Sequence, residues 1–189
     1  MRIIRRTREF GKRLKKLRDS QAIARILTRV KWLAERNPGD NRFLGEASKI
    51  RIDYGPGYRI YFKDTGEEII ILLCGSDKTT PEADIVRARE LAKMPLVADF
   101  DPTGYIETKE DVIATLEAAL AENDPEFLLS VIGDIARSKG MVQLARELNL
   151  DRKGLYKAFS FGGNPSFITV VKVLDKLGFK LSVQQKRAT

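Results

Sequence analysis

The sequence predicts an α+β domain followed by an all-α domain. Three observations carry that expectation. Apolar residues alternate with a period of two only between Lys49 and Phe62, leading into one short apolar run; helical spacing takes over completely after about residue 107; and charge divides along the same line. Residues 1–96 hold 22 Lys and Arg against 13 Asp and Glu, a surplus of +9, whereas residues 97–189 hold 12 against 13, or −1. The halves should meet different partners, and the basic half a polyanion. A chain of 189 residues suits two domains, here 1–95 and 108–189 with a linker over 96–107.

Ile3-Ile4 reads as a strand, followed from a Thr7 cap by a helix with Phe10, Leu14 and Leu17 on one side. Asp19 or Ser20 caps a second helix whose apolar face is Ala22, Ile23, Ile26, Leu27, Val30 and Leu33, and Asn37-Pro38-Gly39-Asp40 ends it. Ile50, Ile52 and Tyr54, then Tyr58, Ile60 and Phe62, alternate on either side of Gly55-Pro56-Gly57, a hairpin. A loop of those three residues sets Ile52 opposite Ile60, Arg51 opposite Tyr61 and Asp53 opposite Arg59. Tyr58 and Phe62 belong to the core. Glu68 to Cys74 suits a central strand apolar on both faces. Thr80-Pro81 opens a helix with Ile85, Ala88, Leu91 and Ala92.

Residues 96–107 show no clear period and read as a docking linker. Thr108 then caps a helix with Val112, Ile113, Leu116 and Leu120, and Asp124-Pro125 opens another that Gly140 ends. Asn164-Pro165 starts the last helix, with Phe167, Val170, Val171, Val173, Leu174 and Leu177 on its apolar side.

The absence of histidine excludes Ser-His triads and two-His zinc motifs. Neither metal nor cofactor is expected, and any catalysis must use Lys, Arg, Tyr, Asp or Glu. The single cysteine, Cys74, reads as a small apolar residue. The longest apolar run is far shorter than a membrane helix and no apolar leader follows Met1, so the expectation is a cytoplasmic protein without membrane contact.

Residues 142–159 have the spacing of two short helices around a tight turn, inside a helical region from about Pro125 to Gly178. Ala145 is small where the helices cross, Leu148, Leu150, Leu155 and Phe159 fill the wedge, Asn149 can take the left-handed turn conformation, and Asp151 caps the second helix. This is a helix-turn-helix, with Arg152, Lys153, Tyr156 and Lys157 on the face that meets double-stranded DNA. Gln143, Asp151, Asn164 and Ser166 complete the DNA-binding candidates. Gly154, costly in a helix, implies close packing or a tolerated defect.

Asp134-Ile135-Ala136-Arg137 through Tyr156-Lys157-Ala158, with Gly163-Asn164-Pro165-Ser166-Phe167, resembles HigA-like antitoxins over residues 97–183. Separately, Arg51 through Phe62, with Leu73-Cys74-Gly75-Ser76-Asp77-Lys78, resembles the HigB-like branch of the RelE/ParE toxins over residues 1–95. The chain looks like both partners fused, toxin first.

The resemblance implies a RelE-like small antiparallel sheet packed with helices, and ribosome-dependent cleavage of mRNA by a toxin half neutralised by the antitoxin half. It implies Arg59 as phosphate-stabilising residue with Arg51 and Lys78 beside it, Tyr54 and Tyr61 as base-stacking residues, and Asp84 near an acid-base position. Partners implied are operator DNA with autorepression, the ribosome and mRNA, a toxin-antitoxin contact within or between chains, and a homodimer reading paired half-sites. Two alternatives stay open: a DNA-binding regulator with an inactive toxin-like domain, and a ParE-like gyrase inhibitor. The acids Asp99, Asp101, Glu107, Glu110 and Asp111 are expected to face the toxin half.

Overall fold

The computed structural model describes residues 2–35, 41–75, 81–93, 97–182 and 185. Among them are a six-stranded sheet and eight α-helices, a mixed α and β architecture. The chain divides into two compact units, Met1–Asn123 and Asp124–Thr189.

In the first unit, β1 (Ile3–Thr7) leads into α1 (Arg8–Lys16) and α2 (Ser20–Glu35). Thr7 Oγ1 accepts the Phe10 amide at 3.1 Å and donates to the Leu72 carbonyl at 2.6 Å, so the cap of α1 is also tied to the sheet. Asp19 is the residue that caps α2, accepting the Gln21 and Ala22 amides at 3.0 and 3.1 Å. The sheet continues with β2 (Arg42–Phe43), β3 (Ser48–Ile52), β4 (Tyr58–Asp64) and β5 (Glu68–Gly75), and α3 (Pro81–Lys93) follows.

Strand order is β2-β3-β4-β5-β1-β6, with β6 at Val97–Asp99. The sheet is mixed and not purely antiparallel: the crossover through both helices carries the chain to β2 at the far edge, and the antiparallel run from β2 to β5 then brings β5 alongside β1 in parallel. One face carries a core of Phe10, Leu14, Ile26, Val30 and Leu33 against Ile50, Ile52, Tyr58, Ile60, Phe62, Ile69 and Ile71. The other face packs Tyr61, Ile70, Leu72 and Leu73 on Ala88 and Ala92 of α3. A register shift between Tyr61 and Phe62 lets both Leu72 and Leu73 reach this second core.

The hairpin register differs from the expected one. Ile52 pairs with Tyr58, Ile50 with Ile60, and Arg51 with Arg59. The connection spans five residues, 53–57, because the Gly57 amide bonds the Tyr54 carbonyl at 3.0 Å and both Gly55 and Gly57 take positive φ (53° and 82°). A shift of two residues preserves which side chains share a face but exchanges their partners.

The segment expected as a linker is structured. β6 pairs antiparallel with β1, the Phe100 amide donates to the Ile4 carbonyl at 3.1 Å, and the Phe100 ring enters the first core edge-on to Phe10, centroids 5.6 Å apart. A 3₁₀ turn over Pro102–Tyr105, capped by Asp101, leads to α4 (Lys109–Ala121), which starts on a Thr108–Asp111 capping box. Ala114 and Ala118 of α4 are buried with Ala24 of α2. Residues 97–121 therefore group with the first unit. Residues 97–107 lack a period because each apolar residue there serves a different local structure.

The second unit comprises α5 (Pro125–Lys139), α6 (Met141–Glu147), α7 (Arg152–Ala158) and α8 (Phe167–Lys176). Its buried side chains include Phe127, Val131, Ile135, Leu144, Ala145, Leu155, Phe159, Val173 and Leu174. Asp124 caps α5, and Gly140 ends it in the left-handed conformation. A Cβ on Gly133 would overlap the Phe159 carbonyl oxygen, so α5 meets the end of α7 at backbone distance. On α8 the expected apolar face is only partly covered: Phe167 is 74% exposed, and Ser166, not Asn164, is the cap, since Pro165 lies before the first helical turn.

Candidate nucleic-acid interfaces

On the sheet face away from α1 and α2, the pleat aligns four cations. Arg42 on β2 stands opposite Lys49 on β3, and Arg51, two residues along β3, stands opposite Arg59 on β4. Directly opposed residues lie about 4.5–5.5 Å apart at Cβ, a spacing at which like charges repel. Burial, together with Arg42, Arg59 and Arg51, holds the Lys49 ammonium below the usual lysine range. Arg51 is joined by Asp53 at 2.8 Å in an exposed pair. Such a block favours a bound anion, above all a phosphate.

Of the residues expected here, the structure brings Arg51 and Arg59 together. Tyr61 shares their face but is fully buried against α3, which removes it as a base-stacking residue. Tyr54 turns toward the first core: its hydroxyl donates to Asp19 at 3.4 Å and the Arg25 guanidinium lies 5.0 Å from its ring center. Burial, then Asp19, raises the Tyr54 phenol above its ordinary pKa. Asp84 is buried and paired with Arg13 at 3.2 Å, which links α3 to α1. Lys78 lies outside the described residues. Lys49 and Arg42 were not among the expected residues. Period-two alternation from Arg51 points to Lys49, while the two-residue β2 leaves no pattern that would reveal Arg42.

In the second unit, Asn149 takes φ 52° at the turn and Asp151 caps α7 through the Gly154 amide. A Cβ on Gly154 would lie 3.1 Å from the capping oxygen, so this glycine gives the Asp151 carboxylate room to approach. Arg152, Lys153 and Lys157 are exposed. Arg152 lies 5.6 Å from the Tyr156 ring center. With Arg137, Asp151 and Ser160 these residues line an open groove of about 1050 Å³. Arg137, paired to Asp134, is a groove residue that the periodicity of α5 did not single out.

Lys157 and Ser160 also border a smaller neighboring cavity of about 480 Å³ that includes Asn164. Ser166 is engaged as the α8 cap, accepting the Thr169 amide at 3.2 Å. Gln143 lies apart from the groove: its amide donates to Glu147 at 2.8 Å along α6. Among the described residues no helix is long and apolar enough to cross a membrane.

Residues 96–185 match the model of a family described as "Probable addiction module antidote protein". Two similar proteins come from Haemophilus influenzae, both described only as uncharacterized. One is 44% identical over 89 residues, 47% of this chain and 92% of the relative; the other is 41% identical over 91 residues, 48% and 92%. No solved structure matches.

Proposed function

Because the chain belongs, through residues 96–185, to the family of probable addiction module antidote proteins, we propose that it is a toxin-antitoxin fusion, resembling a HigB-like toxin followed by a HigA-like antitoxin. The N-terminal unit is a ribosome-dependent mRNA endoribonuclease. The C-terminal part neutralises it and binds operator DNA to repress its own transcription. An antidote requires a toxin, and the block of Arg42, Lys49, Arg51 and Arg59 is the observation that carries the enzymatic reading.

Cleavage of RNA beside a ribose 2′-hydroxyl needs that hydroxyl deprotonated as its oxygen bonds phosphorus, the pentacovalent phosphorus charge stabilised, and the 5′ oxygen protonated as its bond to phosphorus breaks. Without histidine, Lys49 is our candidate base on this face, since burial and then Arg42, Arg59 and Arg51 lower its pKa. Arg51 and Arg59 supply fixed positive charge across the two strands. The ribosome contributes the orientation of the strand to be cut.

The reading is tested by translation-dependent mRNA cleavage with the chain freed of inhibition. Lys49→Met and Arg59→Ala should each lower the cleavage rate by about 10²-fold or more. Cleavage that persists in both variants rules out this assignment.

A regulator with an inactive toxin-like unit is the second reading, and the engagement of Tyr61 and Asp84 in structural roles favors it. Growth and translation indifferent to Arg59→Ala would support it. Supercoiling assays separate the gyrase-directed alternative, for which the cation block is dispensable.

A further inference from the structure

We infer that the antidote half is bipartite, with residues 97–122 forming a docking element that binds the edge of β1 and the outer side of α2 and neutralises the N-terminal unit within its own chain. The neutralising role rests on the toxin reading above; the docking does not.

The surface that receives this element has two parts. The first is the edge of β1, which β6 covers through three paired positions, Arg5 with Asp99, Arg6 with Ala98 and Thr7 with Val97. The second is the side of α2 turned away from the sheet. There Ala24 is buried with Ala114 and Ala118, small side chains that let the two helices approach closely.

Charge and polarity match along the seam. Arg5 pairs with Asp99 at 3.2 Å and Arg29 with Glu122 at 3.5 Å. Gln21 donates to Glu117 at 2.7 Å, and the Ser20 hydroxyl bonds Asp111. Of the acids expected to face the toxin half, Asp99 and Asp111 do so, while Asp101 caps the 3₁₀ turn instead. The surface thus fits an acidic strand-and-helix segment, and the antidote family begins at residue 96, immediately before it.

Chain connectivity favors docking within one chain. The four steps from Lys93 to Val97 span at most about 14 Å, so β6 cannot reach a second copy unless the two β1 edges lie that close. Because α2 lies between α4 and the sheet, the element leaves the cation block uncovered on the opposite face. It acts by occupying a surface needed to approach a large body such as the ribosome.

The test uses the full chain. Ala114→Arg wedges the alanine seam, and a double variant, Glu117→Arg with Glu122→Arg, reverses its charges at the surface should the first fail to fold. Residue-resolved hydrogen exchange should show the Phe100 amide and the α4 amides exchanging at least tenfold faster. Growth arrest should appear, and vanish when Arg59→Ala is added. Unchanged exchange in both variants overturns the docking. Fast exchange with normal growth, while Phe159→Asp in the core of the second unit arrests growth, overturns the assignment of neutralisation to this element. Fast exchange with no arrest in any variant removes the toxin reading and the neutralising role with it, and leaves the docking supported.

Discussion

Lys49 and Gly133 show how much one position depends on its neighbors. The lysine's lowered pKa comes first from burial and then from Arg42, Arg59 and Arg51, so the rising limb of a cleavage-rate profile should lie at lower pH than an ordinary lysine would give. Arg42→Gln removes one of those cations and should move the limb toward higher pH, which a pH-rate series measures. At Gly133, a methyl group would overlap the Phe159 carbonyl oxygen, and backbone on both sides cannot yield cheaply. Gly133→Ala should cost the second unit about 1–3 kcal/mol in urea denaturation. A neutral result would mean that α5 and the end of α7 are farther apart than described.

At the scale of elements, caps and seams govern where helices start and what they bury. Asp111 at the start of α4 is held below the ordinary carboxylate range: burial alone would raise it, but the Thr108 amide and hydroxyl, the Ser20 hydroxyl and the Glu107 amide together outweigh burial. A depressed folded-state pKa means that this contribution is fully present above the unfolded value, about 3.9, and is lost as pH falls through the folded value. Asp111→Asn should therefore flatten the acid limb of stability below about pH 4, with less effect on its shape near neutrality; an unchanged acid limb would contradict the capping role. On α7, Asp151→Ala should cost about 0.5–2 kcal/mol as a lost N-cap.

For the whole molecule, the distribution of charge sets what each part can bind. The second unit, residues 124–189, holds 11 Lys and Arg against 6 Asp and Glu, a surplus of +5 against +3 for residues 1–123, and its Arg152, Lys153 and Lys157 supply three exposed cations per chain. If two copies read paired half-sites, six phosphate contacts give a plot of log K against log salt with a slope of about −5, against about −3 for one copy. Operator titrations over a range of salt, with sedimentation to count the copies, check both figures. A slope far steeper than −5 would mean that the basic N-terminal unit also grips the DNA.

Wherever structure depends on neighbors in the chain, the sequence alone determined it: the caps at Thr7, Thr108, Asp124 and Asp151, the left-handed Asn149, the apolar face of α2 and the alternation of β3 and β4. These follow from backbone hydrogen-bonding needs and from periods of 3.6 and 2, which are local. The pairing of Arg51 with Arg59 was decided by a five-residue loop whose two left-handed glycines took Asp53 and Tyr54 out of the ladder. The burial of Tyr61 and Asp84, the parallel match of β1 with β5 and the docking of residues 97–121 on β1 and α2 were decided only by tertiary structure. Each depends on residues distant in the chain meeting across a sheet or a helix seam, and no period in the sequence records which partner waits on the other side.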